Sequence, residues 1–174
     1  RSDIVEFVNE LSYILPVNKF FGPIKPALFL APMEGMTDWP MRQLLTRGPG
    51  FTHCVSEFFR ISQNVPSPEV FTRSHREILT GGRTNSGVPV FFQLLGGDPE
   101  KLAQAALQAA KMGALGIDLN FGCPARTVNS NDGGATLLKY PQRIFDIVNA
   151  VRKTVPAAIS VSAKLRLGWE NPED

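Results

Sequence analysis

A short segment in the second half of the chain combines packing residues with residues that could do chemistry. Residues 117–121 alternate between apolar and polar side chains. Because side chains alternate from face to face along a β-strand, Asp118 and Asn120 share one face of a predicted strand. The opposite face is predicted to be buried and consists of Ile117, Leu119 and Phe121. One side of this strand is therefore suited to packing and the other to chemistry.

A turn that contains a cysteine follows this strand. Gly122 and Pro124 flank Cys123, and both residue types favour a bent backbone over a continued strand. The thiol is therefore predicted to lie at the carboxyl end of the strand, where catalytic groups collect in parallel sheets and barrels. The polar loop that follows contains the glycine pair 133–134 and leads into the next helix.

Polar side chains also lie near the carboxyl ends of other predicted strands. Residues 88–95 form an apolar run with Gln93 as its one polar interruption, which is typical of a parallel strand covered on both faces. In the last predicted strand, residues 159–167, the alternation places Lys164 and Arg166 on the same side. These three side chains are expected at one edge of a parallel sheet, where a barrel builds its site.

Helices separate most of the predicted strands. An apolar stripe after the pair Asp98-Pro99 predicts one helix, which ends near Gly113. The other predicted elements are strand 28–31, helix 38–45, strand 51–57 ending on Glu57, a helical turn or two near 69–80, strand 115–120 and helix 141–154. Strands that alternate with helices indicate an α/β fold with a parallel sheet, of the (β/α)8 TIM-barrel type.

The chain is too short for a complete barrel of this type. It has 174 residues, whereas such a barrel needs eight strands and roughly 250 residues. We therefore expect residues 27–174 to be an incomplete catalytic barrel with about the first five βα units, the N-terminal part of a larger enzyme. Residues 1–26 are predicted to form an amphipathic helix at 3–15 and a proline-rich linker.

The composition excludes several kinds of protein. The sequence is 43% hydrophobic and 20% charged with a formal net charge of +2, which suits a globular domain that is neither disordered nor strongly basic. Its 2 cysteines and 2 histidines are too few for a disulfide framework or a four-ligand zinc site, so we expect no metal and a reducing compartment, the cytoplasm. No apolar run reaches the roughly 18 residues that span a bilayer, and no membrane association is expected.

Five stretches carry distinctive residue patterns: Leu30–Asp38, Ser56–Phe58, Phe92–Gly96, Asp118–Pro124 and Ala163–Trp169. Taken together they resemble the tRNA-dihydrouridine synthases, flavin enzymes that reduce a uridine in tRNA. The match runs in order from about residue 28 to residue 170. The run from Cys123 to Asn129, followed by Gly133 to Leu138, most resembles the bacterial C-type members.

The resemblance implies an FMN-binding barrel in which reduced flavin passes a hydride to C6 of the uracil and a cysteine protonates C5. By its motif, Cys123 is that acid. A free thiol is mostly protonated at neutral pH and can donate a proton, whereas a nucleophilic cysteine needs a neighbouring base, and the sequence has no cysteine–histidine signature. NADPH is the expected source of electrons, and a uridine in the D-loop of tRNA is the expected substrate.

The same resemblance implies roles for further residues. Asn120 would hydrogen-bond the uracil, Gln93 would contact the flavin ring, and Lys164 would supply positive charge where the reduced flavin becomes anionic. A uridine in folded tRNA must be unstacked before the hydride can reach it, so a positive rim that includes Arg60 is expected. The remaining implied positions are Pro32 and Met33, with backbone contacts at the flavin ring, and Arg126 and Arg166, which would hold uridine or tRNA phosphate.

Two alternatives stay open at this point. A related FMN barrel that acts on a small molecule, such as a dihydropyrimidine or dihydroorotate dehydrogenase, would need a closed pocket for the free base. The chain would instead be inactive as a truncated fragment if its phosphate site came from the loops after the last two barrel strands, as is usual. A full-length synthase is expected to be a monomer with a helical tRNA-binding domain downstream.

Overall fold

The computed structural model describes residues 27–125 and 133–171. In these parts of the chain the strands are β1 (Phe29–Leu30), β2 (His53–Val55), β3 (Phe59–Arg60), β4 (Val90–Leu95), β5 (Gly116–Phe121) and β6 (Ser160–Leu165). Their order across the sheet is β1-β2-β4-β5-β6, and β3 also pairs with β4. Every pairing between these strands is parallel.

Helices occupy the connections between the strands, except for the short connection between β2 and β3. In the same parts of the chain they are α1 (Trp39–Leu45), α2 (Pro68–Ser74), α3 (Pro99–Lys111) and α4 (Pro141–Thr154), with 3₁₀ helices at Arg76–Thr80 and Gly134–Lys139. The alternation of parallel strands with helices gives an α/β half-barrel, which confirms the predicted fold class.

Helix α3 begins and ends where its sequence predicts. The Asp98 carboxylate caps the helix, since its Oδ1 accepts hydrogen bonds from the backbone N–H groups of Glu100 and Lys101 at 3.0 and 3.1 Å. Gly113 follows the helix with a φ of 105°, a left-handed conformation that favours glycine. The stripe of small and apolar residues that faces the sheet is buried and consists of Leu102, Ala103, Ala105, Ala106 and Ala109.

The main hydrophobic core lies between one face of the sheet and helices α3 and α4. All residues of β4 and β5 are buried, as expected for parallel strands covered on both faces. The alternation predicted for β5 is confirmed, because Ile117, Leu119 and Phe121 belong to this core. Ile147 and Val151 of α4 pack into the same core.

The strand predicted at 51–57 is wrong in its extent. Pairing along β4 breaks after β2 and resumes at β3, with Cys54 opposite Val90 and Phe59 opposite Leu94. The segment therefore has one residue more than its partner, because five steps from 54 to 59 match four steps from 90 to 94. Such a β-bulge bends the strand and re-aims a side chain. Here it interrupts the strand at Ser56, Glu57 and Phe58.

The strand predicted at 159–167 also ends earlier than expected. β6 pairs with β5 from Ser160 to Leu165 and then stops. Leu165 is 48% exposed and Leu167 is 81% exposed, so the apolar side chains at the end of the predicted strand are not buried. The physical reason is that β6 is the outer strand of the described sheet, and only its first residues, such as Val161, reach the core.

The helix predicted at 3–15 and the linker at 16–26 lie outside the described residues. In the part of the chain that the structure describes, no helix is long and apolar enough to cross a membrane.

Candidate active site

A row of polar side chains crosses three strands on the sheet face opposite the core. Gln93 of β4, Asp118 of β5 and Ser162 of β6 lie in register. The Gln93 Nε2 donates to Asp118 Oδ2 at 2.6 Å, and the Ser162 hydroxyl donates to Asp118 Oδ1 at 2.6 Å. Sequence alternation predicts this shared face, and hydrogen bonds join its members into one network.

The network continues into the cysteine turn through Asn120. The Asn120 Nδ2 donates to Gln93 Oε1 at 3.0 Å. The Asn120 Oδ1 accepts from the backbone N–H groups of Gly122 and Cys123, both at 3.0 Å. On the far side of the turn, the Cys123 carbonyl accepts from the Ala135 N–H at 3.0 Å. The turn is thus held from both sides, and Cys123 is a free cysteine that is partly exposed.

Asp118 is a deeply buried acid in this network. Burial raises its pKa, while the hydrogen bonds from Gln93 and Ser162 and the positive charge of Lys164 act in the opposite direction. In the described part of the chain no lysine or arginine forms an ion pair with this carboxyl group. Its two hydrogen bonds offset part of the cost of burying it.

The two basic residues predicted at the end of β6 are both exposed. Lys164 lies opposite Asn120 in the register of β5 and β6, which places it on the polar face of the sheet. Its effect on the pKa of Asp118 agrees with this position. Arg166 follows the last residue of β6 and is exposed, and Arg126 lies outside the described residues.

The loop between β1 and α1 carries Pro32 and Met33, the residues predicted to contact a flavin. Pro32 is half-buried, and the Met33 side chain is 52% exposed. The Met33 N–H donates to Thr37 Oγ1 at 2.7 Å, and its carbonyl accepts from the N–H groups of Met36 and Thr37 at 3.0 and 2.9 Å. The backbone N–H and carbonyl of Met33 therefore bond within the loop, and its exposed side chain is the part that faces outward.

A buried ion pair contacts this loop and stabilises it. Arg42 of α1 contacts Glu77 through two hydrogen bonds, from Nε to Oε1 at 2.8 Å and from Nη2 to Oε2 at 2.9 Å. The Nη1 of Arg42 donates to the Thr37 carbonyl at 2.6 Å. A guanidinium that reaches a carboxylate and a loop carbonyl together fixes the loop relative to the 3₁₀ helix at Arg76–Thr80.

The bulge provides a second support for the same loop. The Glu57 Oε1 accepts from the Gly35 N–H at 2.5 Å, and Gly35 has a φ of 75°, which favours glycine. Behind the bulge, the Ser56 hydroxyl accepts from the Gln93 N–H at 3.0 Å. His75 Nε2 lies 2.6 Å from Ser56 Oγ and 3.0 Å from the Glu57 carbonyl, and burial lowers the pKa of His75 to about 4. The bulge therefore links the polar row to the loop.

The structure brings together part of the predicted site. Gln93, Asn120 and the backbone of Cys123 are joined by hydrogen bonds, and Lys164 lies in register beside them. Gln93 is fully buried, and both heavy atoms of its amide already have partners. Its contact with a flavin stays a prediction, as do the roles of the other site residues.

Several residues of the site were missed by the sequence analysis. Ser162 carries a detectable signal, since it alternates with Lys164 on the predicted strand. Ser56 and His75 meet only because of the bulge, and Arg42 and Glu77 are 35 positions apart with no shared motif. Among the described residues, no group of three or more histidine, cysteine, aspartate or glutamate side chains could hold a metal ion.

Comparison with known proteins gives consistent matches. Residues 29–174 match the family model described as Dihydrouridine synthase (Dus). The chain is 54% identical over 145 residues to the tRNA-dihydrouridine(16) synthase of Vibrio parahaemolyticus, a match that covers 83% of this chain and 45% of that protein. It is 50% identical over 147 residues to the protein of the same name in Neisseria meningitidis serogroup B, with 84% of this chain and 44% of that protein covered. The chain spans about half the length of the curated relatives it matches.

Proposed function

This chain belongs to the dihydrouridine synthase family, and from that premise we propose that the protein containing it reduces a uridine of tRNA to 5,6-dihydrouridine with FMN and NADPH. The curated relatives are named for position 16, so uridine 16 in the D-loop is the proposed target. Such a substrate implies a cytoplasmic enzyme. A metal-free site and a monomeric full-length protein stay predictions.

The observation that carries this proposal is the position of Cys123. This partly exposed residue lies in a turn at the carboxyl end of β5, and Asn120 holds the backbone of that turn. A thiol at this place can donate a proton to a carbon atom of a bound ring without a metal or a general base beside it. The other cysteine, Cys54, is fully buried, and burial raises its pKa to about 11, which makes it unsuitable for this role.

The proposed reaction saturates the C5–C6 double bond of uracil. Reduced FMN, once bound, would supply the hydride for C6, and NADPH would supply the electrons that reduce it. Cys123 would donate its Sγ proton to C5, and the thiolate left behind would take a proton from solvent. Both new C–H bonds and the consumed double bond are then accounted for.

Residues around the thiol fit a flavin and its substrate in chemical type. The exposed ammonium of Lys164 would offset the negative charge of a reduced flavin. Asn120 can offer a second N–H of Nδ2 to the uracil, because Oδ1 is occupied by backbone donors. Contacts of Pro32, Met33 and Gln93 with the flavin, and of Arg126 and Arg166 with uridine or phosphate, are also proposed.

The proposal is tested on the whole protein that contains this chain. The purified protein is expected to show flavin absorbance and to form dihydrouridine at position 16 in tRNA from a synthase-deficient host. Cys123→Ala is expected to retain the flavin but to lose activity by about 100-fold or more, because it lacks the general acid. Cys54→Ala is the matched control and is expected to keep dihydrouridine formation, since Cys54 lies in the core.

Two outcomes would contradict the proposal. Flavin absorbance with unmodified tRNA, together with reduction of free uracil or orotate, would indicate a small-molecule dehydrogenase. Equal activity of Cys123→Ala and the wild type would exclude this cysteine as the acid.

A further inference from the structure

We propose that Asp118 is a positioning residue that fixes the amide orientations of Gln93 and Asn120 and thereby holds the turn that carries Cys123. This inference rests on the proposed function for its significance in catalysis. The geometry behind it is a chain of hydrogen bonds from Ser162 through Asp118, Gln93 and Asn120 to the turn.

The donor-to-acceptor direction of these hydrogen bonds is set by backbone N–H groups at the end that contacts the turn. The N–H groups of Gly122 and Cys123 can only donate, so the Asn120 atom that faces them must be the oxygen. The nitrogen of the Asn120 amide then faces Gln93, which must present its own oxygen. The nitrogen of the Gln93 amide is left facing residue 118, so residue 118 must supply an acceptor.

Asp118 meets this requirement from the other end. Its Oδ2 accepts from Gln93 at 2.6 Å, and its Oδ1 accepts from the Ser162 hydroxyl. Both Asp118 and Gln93 are buried, so water cannot readily replace a lost partner. Without an acceptor at 118, the buried Gln93 nitrogen would be unsatisfied in its present orientation and satisfied only by turning the amide. A turned amide would present a donor to Asn120 and would weaken its hold on the Cys123 turn.

The proposal concerns hydrogen-bond polarity and not charge. An asparagine at position 118 could accept from Gln93 through its oxygen and donate to Ser162 through its nitrogen, since a serine hydroxyl also accepts. Asp118→Asn should therefore preserve the turn. Asp118→Leu has a similar shape but no acceptor, and should loosen it.

The experiment measures the turn directly in the whole protein. Hydrogen exchange of the Gly122 and Cys123 amides reports whether Asn120 still accepts from them. The rate of alkylation of Cys123 by iodoacetamide, followed in its own peptide, reports access to the thiol. Cys54 does not interfere, because it is fully buried and its pKa is raised to about 11. Neither readout needs tRNA turnover, so failure here is distinguishable from failure of the proposed function.

In Asp118→Leu, exchange of the two turn amides is expected to speed up by about tenfold or more, while Asp118→Asn stays within about twofold of the wild type. Ser162→Ala is the matched control, since it removes the other hydrogen bond to Asp118 and leaves Gln93 in place. Gln93→Met interrupts the same series of hydrogen bonds at a second point and should loosen the turn. It tests the proposal even if Asp118→Leu fails to fold.

Three results would overturn the proposal. Equal loosening in Asp118→Asn and Asp118→Leu would mean that the charge of residue 118 matters and not its polarity. Unchanged hydrogen exchange of the turn amides in both Asp118→Leu and Gln93→Met would mean that the turn does not depend on this series of hydrogen bonds. Loosening in Ser162→Ala as large as in Asp118→Leu would mean that general packing around Asp118 holds the turn.

Discussion

Among single residues, Arg42 is unusual because a charged side chain of its size is 1% exposed. Its guanidinium is matched by the Glu77 carboxylate and by the carbonyl of Thr37. Removal of one member of such a pair leaves the other charge buried without compensation, which costs far more than the pair itself contributes. The pair therefore links the stability of the chain to the conformation of the loop that carries Met33.

We expect Arg42→Met to lower the free energy of unfolding by about 3–5 kcal/mol, because it leaves the Glu77 charge buried alone. Urea-induced unfolding of the whole protein, compared at the midpoint and slope, measures this change. Lys101→Ala is the matched control. It removes an exposed ion pair with Asp98, at 3.4 Å, and should cost less than about 1 kcal/mol. Similar losses in the two variants would contradict the assigned importance of burial.

Local residue patterns in the sequence predicted part of this site and did not predict the rest. The alternation of Asp118 and Asn120 with apolar neighbours predicted the polar face of β5, because period two is a local property of a strand. The Arg42–Glu77 pair gave no such signal, since the two residues come from different elements and meet only in the folded chain. The hydrogen-bond partners of Gln93 were equally hidden, because they lie on the neighbouring strand β5.

At the scale of elements, the contact between β4 and β5 leaves no room for a side chain at Gly116. A Cβ atom placed there would lie 2.6 Å from the ring of Phe91. That ring cannot easily move, because it stacks on His53 with 4.3 Å between ring centroids. Gly116 thus sets how closely the start of β5 approaches β4.

Gly116→Ala is expected to lower the free energy of unfolding by about 1–3 kcal/mol, since the new methyl group must displace the Phe91 ring. Gly48→Ala is the control, because a Cβ there meets no atom within 4 Å. Denaturant unfolding of both variants tests the expectation. A loss in Gly48→Ala as large as in Gly116→Ala would show that removal of glycine alone, and not the contact with Phe91, determines the effect.

Element boundaries followed from sequence where a local signal existed. The Asp98 cap and the apolar stripe after it placed α3 correctly, since both act within a few residues. The bulge between β2 and β3 could not be predicted in this way, because it is defined by the register with β4 and not by the residues of the bulged segment. The end of β6 was misjudged for a similar reason, since the burial of Leu167 depends on what lies beside the strand.

For the molecule as a whole, buried histidines tie stability to pH. Burial lowers the pKa of His75 to about 4 from an ordinary value of 6.5. The unfolded chain therefore binds a proton at a higher pH than the folded chain does. Stability from neutral His75 is fully present above about pH 6.5 and is lost as pH falls towards 4. Burial raises the pKa of Asp118, and this acts in the opposite direction over its own range.

We expect the wild type to lose about 3 kcal/mol through His75 between these pH values, and His75→Gln to lose correspondingly less. The measurement is the urea midpoint of the whole protein at a series of pH values. Gln104→Ala, at an exposed position of α3, is the control and should keep the wild-type slope. An unchanged slope in His75→Gln would rule out this histidine as the source.

The bulge also determines how this segment can change in evolution. Deletion of one residue between Val55 and Phe59 would restore regular pairing with β4 and keep Phe59 opposite Leu94, so the change would fall on the bulged residues themselves. The bulged residues would lose the positions from which Ser56 bonds to Gln93 and His75 and Glu57 bonds to Gly35. Natural variants of this segment should therefore differ by substitution, while single-residue insertions and deletions should be absent.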